Sequence, residues 1–179
     1  MEPVHGDEVT MSFPLHEETS VHVNADLATL FDHLDDPRRL GGHMEKPSWR
    51  TLGSAMRYSL DEHQGRSVGS VITLTGQIVG APLYLREVVC ERSPPQRKAW
   101  QTTGQPHLIA IGGYRMGFEI APDALGSTLT IFIDYELGGL RPRWLGRALG
   151  RWYARWCVNQ MARDAQVRFS SPSPATASG

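Results

Sequence analysis

From residue 54 to residue 137, apolar and polar side chains alternate with a period of two, interrupted only by short runs rich in glycine and proline. A period of two sends successive side chains to opposite faces of a strand. The interruptions divide the stretch into six strands, at 54–62, 67–79, 83–93, 97–104, 108–121 and 127–137, joined as antiparallel hairpins. Met56, Tyr58 and Leu60 share one face, as do Ile72, Leu74 and Ile78, then Tyr114, Met116, Phe118 and Ile120, then Leu129, Ile131, Ile133 and Tyr135. Arg57, Thr73, Gln77, Arg115, Glu119 and Asp134 fall on the other. Such a sheet has one wet face and one dry face, and the dry face needs a cover.

One element is long enough to supply it. Gly138-Gly139 closes the last strand, and Arg141-Pro142 opens a helix that reaches Phe169, about 45 Å if continuous. Its first half reads RWLGRALGRWYARW (143–156). At about 100° per residue, Trp144, Leu145, Ala148, Leu149, Trp152, Tyr153 and Trp156 gather on one half of the circumference, with Arg143, Arg147, Arg151 and Arg155 on the rest. The expectation is that the indoles face the dry side of the sheet. Gly146 and Gly150, at the edge of the apolar arc, permit close approach to a strand or loop. The same composition suits a helix lying on anionic lipid, and the repeated arginines exclude a spanning one.

Ahead of the sheet, residues 17–23 alternate as a first strand. Asn24 stands as the N-cap of a helix carrying Leu27, Leu30, Phe31 and Leu34. Asp36-Pro37 ends that helix, and a second short one covers 37–41. Residues 1–15 and the Ser/Pro/Ala run 170–179 read as mobile ends around a single domain, 16–169, in keeping with 179 residues. Residues 140–169 hold seven arginines against Asp164, although the chain as a whole has a net charge of -1. This local basic face is not the domain-wide charge of a nucleic-acid binder. Cys90 and Cys157 make no disulfide framework, and the first ten residues carry no apolar leader run, so a cytoplasmic location is expected. Asp32, His33, Asp35 and Asp36 lack metal-ligand spacing and read as a solvated acidic patch; no metal or cofactor is implied.

Three segments carry a family resemblance: VHVNADLATLFDHLDDPRRL (21–40), VVCERSPPQRKAW (88–100) and GSTLTIFIDYEL (126–137). With the order strand, two short helices, six-stranded meander and long terminal helix, they resemble the START-related, Bet v 1-like (SRPBCC) superfamily over 17–169. That superfamily includes lipid-transfer domains and polyketide cyclases. The resemblance implies an α+β helix-grip fold, a seven-stranded curved antiparallel sheet wrapped around the C-terminal helix, with an apolar cavity between them. Met56, Tyr58, Leu74, Trp100, Tyr114, Met116, Phe118, Tyr135, Trp152 and Trp156 are the candidate walls.

Two residues stand out as proton carriers. His43 lies in the loop GHMEKPSWR (42–50), and a histidine titrates near neutrality. Glu87 shares parity with Leu83, Leu85 and Val89, so it points into the dry side unless a bulge turns Arg86 inward instead. The expected function is binding or transport of a hydrophobic small molecule, a lipid or polyketide-like compound. One alternative is a polyketide cyclase/dehydrase-like enzyme using His43, Glu87 or a cavity tyrosine. Another is contact with an anionic membrane or a protein through Arg143, Arg147, Arg151 and Arg155.

Overall fold

The computed structural model describes residues 13–40, 55–78, 81–104 and 111–170. Among them, seven strands form one curved antiparallel sheet: β1 (Leu15–Val23), β2 (Ala55–Leu60), β3 (Val71–Ile78), β4 (Ala81–Ser93), β5 (Arg97–Thr102), β6 (Ile111–Asp123) and β7 (Gly126–Leu137). The order is β1-β7-β6-β5-β4-β3-β2, a meander whose first strand pairs with its last. Helices α1 (Leu27–Leu34) and α2 (Pro37–Leu40) lie between β1 and β2, and α3 (Arg143–Ser170) follows β7. No described helix is long and apolar enough to cross a membrane.

Local chemistry shifts two boundaries from their expected positions. The N-cap of α1 is Asp26 and not Asn24: its carboxylate accepts from the Thr29 backbone N–H at 3.0 Å and the Thr29 hydroxyl at 2.7 Å. Asn24 lies in a tight turn in which Ala25 N donates to the Val23 carbonyl, so helical geometry begins two residues later. Strand β3 begins at Val71, not at residue 67, because Asp61 folds the preceding turn around its carboxylate. That group accepts from the Ser70 hydroxyl at 2.6 Å and the Val71 N–H at 2.8 Å.

The dry face is where alternation placed it, with Leu74, Leu85, Trp100, Met116, Phe118 and Ile133 all buried. Phe132 departs from the pattern, since it is buried on the opposite face. Gly117 is its cross-strand neighbour, and the missing side chain leaves room for the ring. The guanidinium groups of Arg97 and Arg115 lie 5.3 and 5.6 Å from its centroid.

Helix α3 covers the sheet with an unexpected side. It buries Gly146, Gly150, Ala154, Val158 and the Met161–Ala162–Ala165 group, and it packs mainly on β1 and β7. Trp144 and Trp152 face solvent, 71% and 59% exposed, and Trp156 is half-buried with its ring stacked on Tyr153 at 6.1 Å. The inward orientation expected for the tryptophans is therefore corrected. A helix carrying indoles on its contact face stands away from its strands, whereas a face of Gly, Ala and Val settles close to them. Two of the arginines on the remaining arc are tethered: Arg151 Nε and Arg155 Nε each donate to one carboxylate oxygen of Glu17 on β1, at 2.9 and 2.7 Å.

Gly117→Ala tests the close packing at Phe132. An added Cβ would stand 2.5 Å from the Lys98 carbonyl oxygen and 2.7 Å from the Phe132 ring. The variant is expected to lose about 1–3 kcal/mol, seen as a lower urea midpoint with an unchanged m-value.

Candidate functional site

Between the inner face of β2–β6, the α1–α2 corner and α3 lies a cavity of about 70 Å³. Tyr58, Leu74, Trp100, Tyr114 and Met116 line it, as does Glu87. Phe118 and Tyr135 are instead sealed in the core, Phe118 edge-on to Phe31 at 5.6 Å. Trp152 and Trp156 do not line it, for the reason given by the packing of α3. His43 and the side chain of Met56 lie outside the described residues.

Register brings the polar groups together. Glu87 on β4 pairs with Thr102 on β5, and Thr102 in turn exchanges hydrogen bonds with Tyr114 on β6: the Tyr114 N–H donates to Thr102 Oγ1 at 3.0 Å. Thr102 is short and fully buried, so the Tyr114 ring passes over it and its hydroxyl donates to Glu87 Oε1. The Trp100 indole, beside it in the cavity wall, is a second neutral donor that favours the carboxylate. A bulge does occur in β4, between Val89 and Glu91, but it follows Glu87, so the parity of Leu83, Leu85, Glu87 and Val89 survives. Arg86 is exposed.

Glu87 is 5% exposed, and its donors are a phenol and an indole, both neutral. Burial pushes its carboxyl up to about 7, against the opposing pull of the Tyr114 and Trp100 hydrogen bonds. Tyr114 is held well above its ordinary value by burial and by the neighbouring carboxylate, so it stays a hydroxyl donor. A carboxyl half-protonated near neutrality, with a small apolar space in front of it, can donate a proton, accept one, or anchor one polar group of a ligand.

A second polar wall comes from Lys98, which shares parity with Trp100 and Thr102. Its ammonium donates to the Asp35 backbone carbonyl at 2.6 Å and to Asp35 Oδ1 at 2.8 Å. Arg92 clamps the same carboxylate with two bonds of 3.1 and 2.8 Å. Asp35 is thus not part of a solvated patch but 2% exposed at the C-cap of α1. Burial raises its carboxyl, and the hydrogen bonds of Arg92 and Lys98 more than reverse that; burial also lowers the Lys98 ammonium. The ion cluster pins the α1–α2 corner, with its cavity residues Leu34 and Pro37, to β4 and β5. The described residues contain no group of three or more His, Cys, Asp or Glu that could hold a metal ion.

Sequence reasoning missed Lys98, although its parity with Trp100 was the available signal. It also missed Met161, the α3 residue of the cavity wall, because the helix was phased on its tryptophans. Cys157 is an inert thiol: burial pushes it up to about 12, although Tyr153 bonds to it.

The model of a family described as polyketide cyclase / dehydrase and lipid transport matches residues 15–166. No curated protein sequence matches the chain. Among solved structures, TTHA0849 from Thermus thermophilus superposes with a TM-score of 0.66 at 12% identity, over 89% of this chain and 99% of that one. The di-domain ARO/CYC BexL from the BE-7585A biosynthetic pathway gives 0.61 at 16% identity, over 89% of this chain and 51% of its own. Ginseng major latex-like protein 151 from Panax ginseng gives 0.57 at 14%, over 87% and 97%. At these identities the likeness establishes the fold.

Glu87 makes stability depend on pH. Its folded value lies above its value of 4.5 in the unfolded chain, so the native state holds the extra proton between the two. The contribution of Glu87 to stability is therefore fully present below pH 4.5 and is lost as pH rises through 7. Relative to Glu87→Gln, which does not titrate, the wild type is expected to lose about 3 kcal/mol across that window, measured by urea unfolding at a series of pH values.

Proposed function

We propose a ligand-binding function from one premise: the chain belongs to the polyketide cyclase / dehydrase and lipid transport family. The ligand is an apolar small molecule with one hydrogen-bonding group, bound between the inner sheet face and α3. The observation that carries this reading is Glu87, a buried carboxyl with neutral donors, facing a cavity whose other walls include Leu74, Met116 and Met161. Beyond these donors the carboxyl keeps free acceptor capacity and, when protonated, an O–H donor, and a ligand hydroxyl or carbonyl can use either. The rest of the affinity comes from apolar burial, at about 25 cal/mol per Å².

The cavity, about 70 Å³, is small for such a ligand. Met116 and Met161 make enlargement inexpensive, because an unbranched thioether changes rotamer readily to fill or vacate space. The Asp35–Arg92–Lys98 cluster holds the opposite corner in place.

A second reading, a cyclase/dehydrase-like enzyme, is favoured by the near-neutral carboxyl. Protonated Glu87 gives its proton to a ligand carbonyl or departing hydroxyl oxygen, and as the carboxylate it takes one back. His43 is the proposed second proton carrier in this reading. A further contact, of Arg143, Arg147, Arg151 and Arg155 with an anionic surface, draws on residues outside the cavity.

2-Naphthol, an aromatic molecule with one hydroxyl, is a suitable probe, followed by its own fluorescence. Leu74→Phe, which narrows the cavity, is expected to weaken binding at least about tenfold, or ~1.4 kcal/mol. Glu87→Gln keeps an acceptor for Tyr114 and is expected to retain binding within about tenfold, while abolishing any turnover. Equal binding by wild type and Leu74→Phe would place the probe elsewhere and sink the cavity reading.

A further inference from the structure

We propose that the solvent side of the first half of α3 is a docking site for an anionic phospholipid bilayer, with Trp144, Leu149 and Trp152 entering the headgroup–acyl boundary and Arg143 and Arg147 meeting lipid phosphates. The inference is independent of the cavity. It begins from the orientation of the helix, since the face that packs on β1 and β7 is the small-residue one and the large apolar side chains are left over.

Trp144 is 71% exposed, Trp152 59% and Leu149 40%. Positions 144, 149 and 152 fall within an arc of about 140° on an α-helix, so the three side chains share one outward side. Isolated exposed hydrophobics need no explanation, but two indoles and a leucine on one helix face do. Indole is suited to the membrane–water boundary, where its ring is apolar and its N–H finds a polar partner.

Charge selects the surface. The segment 140–169 carries seven arginines against Asp164 in a chain of net charge -1. Arg151 and Arg155 are partly neutralised by Glu17. Arg143 and Arg147 are exposed on the flank of the helix beyond Trp144, about 100° and 60° from it around the axis, and no ion pair engages either among the described residues. An indole face bordered at its Trp144 edge by guanidinium groups is complementary to a bilayer that offers phosphate at its surface and hydrocarbon beneath. A protein partner or a second copy fits less well. Three side chains on the crest of one helix fall well short of the about 1,000 Å² that a stable interface buries, whereas insertion of a few side chains suffices for peripheral lipid binding.

The test uses the full chain with vesicles of phosphatidylcholine alone and of phosphatidylcholine with phosphatidylserine, some carrying brominated acyl chains. Sedimentation is expected to show binding to the serine-containing vesicles at low salt, at least tenfold weaker binding to phosphatidylcholine alone, and loss at high salt. Brominated chains are expected to quench tryptophan fluorescence in the wild type. The double variant Trp144→Ala/Trp152→Ala, whose sites are exposed and whose melting temperature and 2-naphthol binding should be unchanged, loses both the quenching and at least tenfold in vesicle affinity. Arg143→Gln/Arg147→Gln loses affinity only for the anionic vesicles. Absence of vesicle binding overturns the proposal, as does binding that the tryptophan variant leaves intact. A concentration-dependent mass in light scattering that the same variant abolishes assigns the face to self-association instead and equally overturns it.

Discussion

The close seat of α3 on β1 and β7 governs most of what is distinctive in this molecule. Ala154, Ala162 and Ala165 offer little beyond backbone on the buried face, so the helix lies near the strands and its bulk is displaced to the flanks. Arg151 and Arg155, tied to Glu17, hold one flank, and Tyr153 with Cys157 packs at the other. Two consequences follow from this single contact. The space under the helix is small because little separates it from the sheet, and the indoles that cannot fit beneath it stand in solvent.

The polar corner of the cavity is a product of strand register. Glu87, Thr102 and Tyr114 occupy consecutive strands at one level of the sheet, and the shortness of Thr102 lets a phenol reach a carboxyl two strands away. Neither donor carries a charge, so burial dominates and the carboxyl holds its proton up to neutral pH. The contrast with Asp35 is instructive, since it is as deeply buried yet ionised. Two cations, Arg92 and Lys98, surround it, and here the charged hydrogen bonds outweigh desolvation. One carboxyl is thus available for ligand chemistry, and the other is committed to holding the α1–α2 corner.

Much of this was legible in the residues. Period-two alternation located six strands and their dry face, because a half-buried sheet writes its orientation directly into every second position. Parity likewise turned Glu87 inward, and only the site of the bulge, after Val89, had to come from pairing. The same argument applied to Lys98 would have found the second polar wall. Asp35 was not legible: its neighbours Asp32 and Asp36 are acidic in the same way, and its cations arrive from β4 and β5, 57 and 63 residues away. The N-cap slipped from Asn24 to Asp26 because a tight turn, which leaves little trace in composition, intervened.

Taken alone, the sequence determined the architecture: the alternation, the Gly and Pro punctuation, the long terminal helix, and a carboxyl aimed at the dry side. These are local and periodic properties, and a chain expresses them through the backbone's own geometry. Tertiary structure decided which third of α3 meets the sheet. Helical periodicity identifies an apolar arc but not whether its wide centre or its small-residue edge is the better fit, since that depends on how near the strands allow the helix to come. The edge fits here, so the indoles face away from the cavity that Glu87 faces.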